Sequence, residues 1–97
     1  MEFFENDAYK LLIEALVKID NEKECADFLE DLMTVKELND ISQRLQVAKL
    51  LSAQTVYNKI VEETGASTAT ISRVNRAYLY GKGGYKKILE KISEEKK

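Results

Sequence analysis

The sequence has no histidine, no proline and no tryptophan, and Cys25 is its only cysteine. A single cysteine cannot form a disulfide within the chain, so a reducing, cytoplasmic setting is expected. The lack of histidine removes the commonest general base and the commonest metal ligand of proteins. Neighbouring carboxylates such as Glu62 and Glu63 are interpreted as solvated helix faces, because no polar pocket motif accompanies them. We therefore predict that the protein is not an enzyme and has no catalytic residue, cofactor or metal site.

Long apolar runs are also missing, since no stretch approaches the ~20 residues that cross a membrane. All four glycines lie at or after position 65, so neither glycine nor proline interrupts a helix before that point. Apolar and polar residues do not alternate as they do in strands, whereas apolar residues recur at helical spacing. A length of 97 residues suffices for one domain. The prediction is an all-α single domain, residues 1–97, with no membrane partner.

The net charge of −2 conceals a strong asymmetry along the chain. Residues 1–33 carry 3 basic and 10 acidic side chains, residues 34–64 carry 4 of each, and residues 65–97 carry 8 basic and 3 acidic. Attraction to phosphate is local, because salt screens charges beyond a Debye length of about 8 Å. The basic last third therefore fits nucleic-acid binding, and it fits a solvated basic tail equally well.

Six helices are predicted from apolar periodicity, capping residues and breaks. Asn6, Asn21 and Ser67 are N-cap candidates, and Thr55 is the best candidate for the short fourth helix. Gly65 is placed to end that helix, as a glycine just beyond a helix C-terminus does. The predicted helices cover about 7–19, 22–33, 35–52, 56–64 and 68–80, with a last helix after Gly84.

The segment YNKIVEETGASTATISRVNR, residues 57–76, has the pattern of a helix-turn-helix. Two short helices that cross steeply need a tight turn and small or apolar residues where they meet. Gly65 supplies the turn, because glycine tolerates a positive φ angle. Ile71, Val74 and Tyr78 fall within about 60° of one another on a helical wheel and form the inner face of the second helix. The predicted packing positions are Ile60, Val61, Ala66, Ile71 and Val74.

The opposite face of that second helix carries small, hydroxylated and basic side chains. Such a face lets a helix lie deep in a major groove, where hydroxyls and the helix N-terminus meet phosphates and arginines reach phosphate or guanine. Tyr57 and Asn58, which begin the first helix of the helix-turn-helix, would face the DNA backbone or base edges. The predicted DNA-binding residues are Tyr57, Asn58, Ser67, Thr68, Ala69, Thr70, Ser72, Arg73 and Arg76. The alternative is an ordinary helical hairpin in a protein-interaction module that does not bind DNA directly.

Two stretches, LMTVKELNDISQRLQVAKLL and VYNKIVEETGASTATISRVNRAYLYG, resemble the Trp repressor family, and within it the Trp repressor-like YerC/YecD group. The resemblance implies a six-helix fold and an intertwined homodimer. It places the dimer core at about residues 7–52 and 84–93 and the helix-turn-helix at about residues 55–80. It also implies double-stranded operator DNA as the partner, and hence a sequence-specific, repressor-type transcription regulator.

The resemblance further implies a ligand pocket between the third helix and the recognition helix, where the Trp repressor holds tryptophan. This chain keeps Thr34, Arg44 and Arg73 at ligand-contacting positions. Val74 stands where the repressor has glycine, and Ala77 replaces a serine that holds the amino group of the ligand. Because a valine fills the space of the indole, we predict that the regulator does not respond to tryptophan. The sequence specifies no other small-molecule effector.

Overall fold

The computed structural model describes residues 5–95 of the chain. Within this range all regular secondary structure is helical, and no residue lies in a β-strand. The six helices are α1 (Asp7–Lys18), α2 (Glu22–Leu32), α3 (Val35–Ser52), α4 (Tyr57–Thr64), α5 (Thr68–Tyr80) and α6 (Gly84–Glu95). This order confirms the prediction of an all-α, six-helix fold. None of these helices is long and apolar enough to cross a bilayer.

The internal contacts of the chain divide it into two compact units, Met1–Val35 and Lys36–Lys97. The first unit contains α1 and α2, and neither helix has a buried residue. Some of its apolar side chains are largely exposed, with 66% of Leu11 and 75% of Val17 open to solvent. A helix with an apolar stripe normally buries that stripe, so α1 and α2 retain apolar surface that the single chain leaves uncovered.

Both helices of the first unit begin at an asparagine whose side chain caps the first turn. Asn6 Oδ1 accepts a hydrogen bond from Tyr9 N at 3.1 Å, and Asn21 Oδ1 accepts one from Glu24 N at 2.8 Å. These bonds satisfy amide groups that have no partner inside the helix. The two N-caps predicted from the sequence are therefore confirmed.

The core of the second unit lies where α3, α4 and α5 meet. Its six buried residues are Val47, Ala48, Ile60, Ala66, Ile71 and Val74. Half-buried apolar side chains of α3, α4 and α6 pack around them. Burial of a side chain such as isoleucine stabilises a fold by about 1.5–3 kcal/mol. This small cluster therefore fixes the position of α5 against α3 and α4.

The link between α5 and α6 is short and rich in glycine, as the sequence predicted. Gly81 N donates to Ala77 O at 2.9 Å and so closes the last turn of α5. Beyond the link, Lys86 Nζ of α6 lies 5.3 Å from the centre of the Tyr78 ring of α5. An ammonium group at this distance from an aromatic face is attracted to it. The contact between Lys86 and Tyr78 therefore joins α6 to α5 across the glycine-rich segment.

The link between α3 and α4 differs from the sequence prediction. Thr55 was expected to cap α4, but the N-cap is Val56, and no side-chain hydrogen bond caps this helix. Thr55 N donates instead to Leu50 O at 3.0 Å, and Gln54 takes a left-handed φ of 62°. The first hydrogen bonds of α4 run from Lys59 N and Ile60 N to Val56 O, both at 3.1 Å, so Thr55 lies one position before the cap. The prediction that Thr55 caps α4 is wrong for this reason.

Candidate nucleic-acid interface

The turn between α4 and α5 is built around Gly65. Its backbone is left-handed, with φ 73° and ψ 5°, and its N–H donates to Val61 O at 2.9 Å. A Cβ added to Gly65 would meet no atom within 4 Å, so the requirement for glycine here is conformational and not one of space. A side chain at such a φ costs roughly 1 kcal/mol. The predicted role of Gly65 as the residue that ends α4 is confirmed.

Thr64 secures the same turn through its side chain. Its Oγ1 donates to Ile60 O at 2.7 Å and accepts from Ala66 N at 3.0 Å. Ala66 is only 2% exposed and belongs to the core of the second unit. The last turn of α4 and the residue that follows Gly65 are therefore held together by one hydroxyl group.

Ser67 begins α5 in the manner predicted from the sequence. Its Oγ accepts from Thr70 N at 3.1 Å, and the same hydroxyl donates to Thr70 Oγ1 at 3.1 Å. The cap satisfies one of the amides left unpaired at a helix N-terminus, where the helix dipole also favours an anion. Ser67 is exposed and Thr70 is half-buried, so the capped N-terminus of α5 lies at the protein surface.

The two faces of α5 differ sharply in exposure. Ile71 is 0% and Val74 2% exposed, and Tyr78 is half-buried, which confirms the predicted inner face. The opposite face is open to solvent. Its exposed residues are Thr68, Ala69, Ser72, Arg73 and Arg76. The buried face anchors the helix, and the exposed face presents three small side chains, Thr68, Ala69 and Ser72, beside two arginines.

The charge of this exposed face is positive. The helix contains two arginines and no acidic residue. Within residues 5–95 neither Arg73 nor Arg76 forms an ion pair, since the carboxylates of the two ion pairs belong to Asp27 and Asp40. Both guanidinium groups therefore remain available to an external anion, and their planar donors suit phosphate or guanine.

The two residues predicted to approach DNA from α4 lie at its first turn. Tyr57 is 37% exposed, and Asn58 is exposed as well. Both belong to the same compact unit as α5 and to the helix that packs against it. The nine predicted DNA-binding residues thus lie in the first turn of α4, in α5, or at the Ser67 cap of α5.

The residues predicted for a ligand pocket are in contrasting environments. Val74 is buried in the core with Val47 and Ala48, so its packing inward is confirmed. Arg44 on α3 and Arg73 on α5 are both exposed. Thr34 is exposed and belongs to the first unit, Met1–Val35.

Sequence reasoning overlooked Gln43, which connects α3 to the α4–α5 turn. Its side-chain Nε2 donates to Thr64 O at 3.1 Å, and the side chain is half-buried. The sequence signal for Gln43 is its spacing of four residues from Val47. This spacing puts its polar side chain on the same face of α3 as a core residue. No motif marks the acceptor, because the acceptor is a backbone carbonyl 21 residues away.

Comparison with known proteins identifies the family. The family model for the Trp repressor protein matches residues 7–93. The chain belongs to the Trp repressor family. A protein of Bacillus subtilis (strain 168), described as the uncharacterized protein YerC, is 42% identical over 83 residues, which are 86% of this chain and 80% of that protein. The chain is thus of the YerC type within the family.

Two crystal structures of similar proteins support the same assignment. A proposed Trp repressor from Staphylococcus aureus aligns with a TM-score of 0.88 and 41% identity over 96% of this chain and 95% of the other. A TrpR-like protein from Eubacterium eligens ATCC 27750 aligns with a TM-score of 0.87 and 43% identity over 91% of each chain. At the level of the family the chain is a DNA-binding regulator, and the Trp repressor family is not a family of enzymes.

Proposed function

We propose that this Trp repressor family member is a sequence-specific transcription regulator of the repressor type, which binds operator DNA as a homodimer. One observation carries the proposal: α5 buries Ile71 and Val74 and exposes a face of small, hydroxylated and basic residues. This face fits the major groove, which admits an α-helix whose first turns lie close to the base edges. In this proposal α4 and α5 form the helix-turn-helix, at about residues 55–80.

Each kind of side chain on this surface has a matching group on DNA. At the N-terminus of α5, which Ser67 caps, the hydroxyl of Thr68 and the backbone amides of Thr68 and Ala69 would donate to phosphate oxygens. Arg73 and Arg76 would bind phosphate or the O6 and N7 acceptors of guanine, and Ala69 would contact a thymine methyl group. Thr70, Ser72, Tyr57 and Asn58 would complete the contacts to the backbone and to base edges.

The homodimer is supported by apolar surface that the single chain leaves open. Leu32, Val35, Ile41 and Ile88 are 47%, 75%, 44% and 50% exposed, and α1 and α2 bury no residue. Between α3 and α6 an open groove is lined by four apolar residues, Leu45, Ala53, Leu89 and Ile92, and by five polar ones, Ser42, Gln46, Lys49, Ser52 and Ser93. In the proposed dimer, the helices within about residues 7–52 and 84–93 bury their apolar faces in a shared core, and the whole forms one domain of residues 1–97. The two copies of α5 would enter successive major grooves about 34 Å apart.

The DNA-binding function is tested by selection from random duplexes, followed by a fluorescence anisotropy titration. We expect one duplex with two-fold symmetry to be enriched and to bind with two protein chains per site. Binding should weaken as salt rises from about 50 mM, because the protein displaces counterions from phosphates. If no duplex binds at about 50 mM salt, the proposed function is rejected.

The absence of a tryptophan response forms a separate part of the proposal. Val74 is 2% exposed and packs within the core with Val47 and Ala48. This burial supports the prediction that the valine fills the space in which the Trp repressor holds the indole. Titration calorimetry with L-tryptophan should therefore show no binding heat, and the affinity for the selected duplex should not change when tryptophan is added. Micromolar binding of tryptophan would contradict this prediction.

A further inference from the structure

One hydrogen bond joins α3 to the end of α4 across 21 positions of the chain. The donor is Gln43 Nε2 and the acceptor is Thr64 O, at 3.1 Å. Both residues are half-buried, and both belong to the second compact unit. Four residues beyond Gln43, Val47 enters the core, so the amide lies one turn before the place where α3 packs against α4 and α5.

The acceptor carbonyl needs a partner from outside its own helix. Thr64 is the last residue of α4, and the last carbonyls of a helix have no intrahelical donor. A half-buried carbonyl without a partner is costly, so the Gln43 amide holds the end of α4 against α3. The hydroxyl of the same threonine bonds to Ile60 O and Ala66 N, which extends this attachment into the turn.

The turn transmits any movement of Thr64 to α5. Only Gly65, Ala66 and Ser67 separate Thr64 from the first residue of α5. Ser67 is the cap of that helix, and Thr68 and Ala69 form its first exposed turn. A binding site must be held to within about 0.5 Å of its productive geometry, so a loose turn would misplace these contacts.

We infer that Gln43 is a positioning residue for DNA recognition, which fixes the N-terminus of α5 by anchoring the α4–α5 turn to α3. The inference rests on the DNA-binding function proposed above. Gln43 itself need not contact DNA. Its removal should therefore affect the distinction between the selected duplex and other duplexes, and should leave general attraction to phosphate unchanged.

The experiment compares two substitutions of Gln43 with a control in the same helix. Gln43→Met keeps the length of the side chain and removes the donor, whereas Gln43→Glu keeps the shape and places a carboxylate against the Thr64 carbonyl. The control is Asn39→Leu, which removes the carboxamide of an exposed residue of the same helix. For each full-length variant, affinity is measured for the duplex selected with the unsubstituted protein and for an unrelated duplex of equal length. The ratio of the two affinities is the readout, since a partly unfolded sample lowers both affinities equally.

We expect Gln43→Met to lower the ratio by roughly three- to tenfold, as loss of one neutral hydrogen bond does. Gln43→Glu should lower it further, and Asn39→Leu should leave it unchanged. An unchanged ratio in Gln43→Met, or an equal fall in Asn39→Leu, overturns the positioning role while the DNA-binding function stands. If the unsubstituted protein binds no duplex, the positioning role fails together with the proposed function.

Discussion

Replacement of Ile71 by alanine should lower the free energy of unfolding by about 2–5 kcal/mol, the range found when a buried isoleucine is truncated. Ile71 is 0% exposed and lies among the six buried residues that hold α3, α4 and α5 together. A core of this size cannot collapse fully around the missing methylene groups, so a cavity term adds to the lost burial. A small domain has only about 5–15 kcal/mol of stability in total, so a large part of it would be lost.

The measurement is urea unfolding followed by circular dichroism, at one protein concentration because dimerisation would couple stability to concentration. Leu79→Ala is the matched control, since Leu79 lies in the same helix and is 47% exposed. The control should destabilise by a markedly smaller amount. Equal losses for both variants would show that the inner face of α5 does not anchor the helix as described.

Loss of both arginines from the exposed face of α5 should produce the largest change in DNA binding. Arg73→Ala and Arg76→Ala should each weaken binding to the selected duplex by about 1–3 kcal/mol, or roughly 5- to 150-fold, if the guanidinium groups reach bases. Both arginines are exposed, and neither is paired with a carboxylate within residues 5–95. Their removal therefore takes charge from the interface without breaking an ion pair in the described part of the protein.

The control removes the same amount of positive charge from elsewhere. Lys23 and Lys36 lie on α2 and α3, where they pair with Asp27 and Asp40 at 2.8 and 3.0 Å and their side chains are 84% exposed. The double variant Lys23→Ala/Lys36→Ala should bind the selected duplex nearly as well as the unsubstituted protein. Binding that is unaffected by loss of both arginines would show that DNA meets a different face of the protein.

Local signals were sufficient to predict most of the fold. Asn6, Asn21 and Ser67 accept the predicted capping bonds, because each cap depends only on a side chain and an amide three residues away. Gly65 ends α4 through its own left-handed backbone, which is again a property of one residue. The inner face of α5 followed from helical periodicity, and the burial of Ile71 confirms it.

Features that depend on two distant segments could not be predicted in this way. Thr55 is a good N-cap residue by type, but its amide belongs to the turn that ends α3, and α4 begins from Val56 O, which leaves Thr55 one position before the cap. Gln43 carries no motif, and its role depends on a carbonyl that is brought near only by the packing of α3 against α4. In the candidate site, helical periodicity therefore predicted which residues of α5 face outward. The hydrogen bond from Gln43 that holds the turn before α5 was visible only in the structure.

The separation of anchoring and exposed residues on α5 has a consequence for the evolution of the family. Substitutions at exposed helix positions usually change stability by no more than about 0.5 kcal/mol, whereas substitutions at buried ones change it several times more. Ala69, Ser72, Arg73 and Arg76 are all exposed, so mutation at these positions is nearly neutral for folding. In the proposed mode of DNA binding, one copy of a duplicated gene can therefore change its target sequence through these positions while the buried residues of its core stay the same.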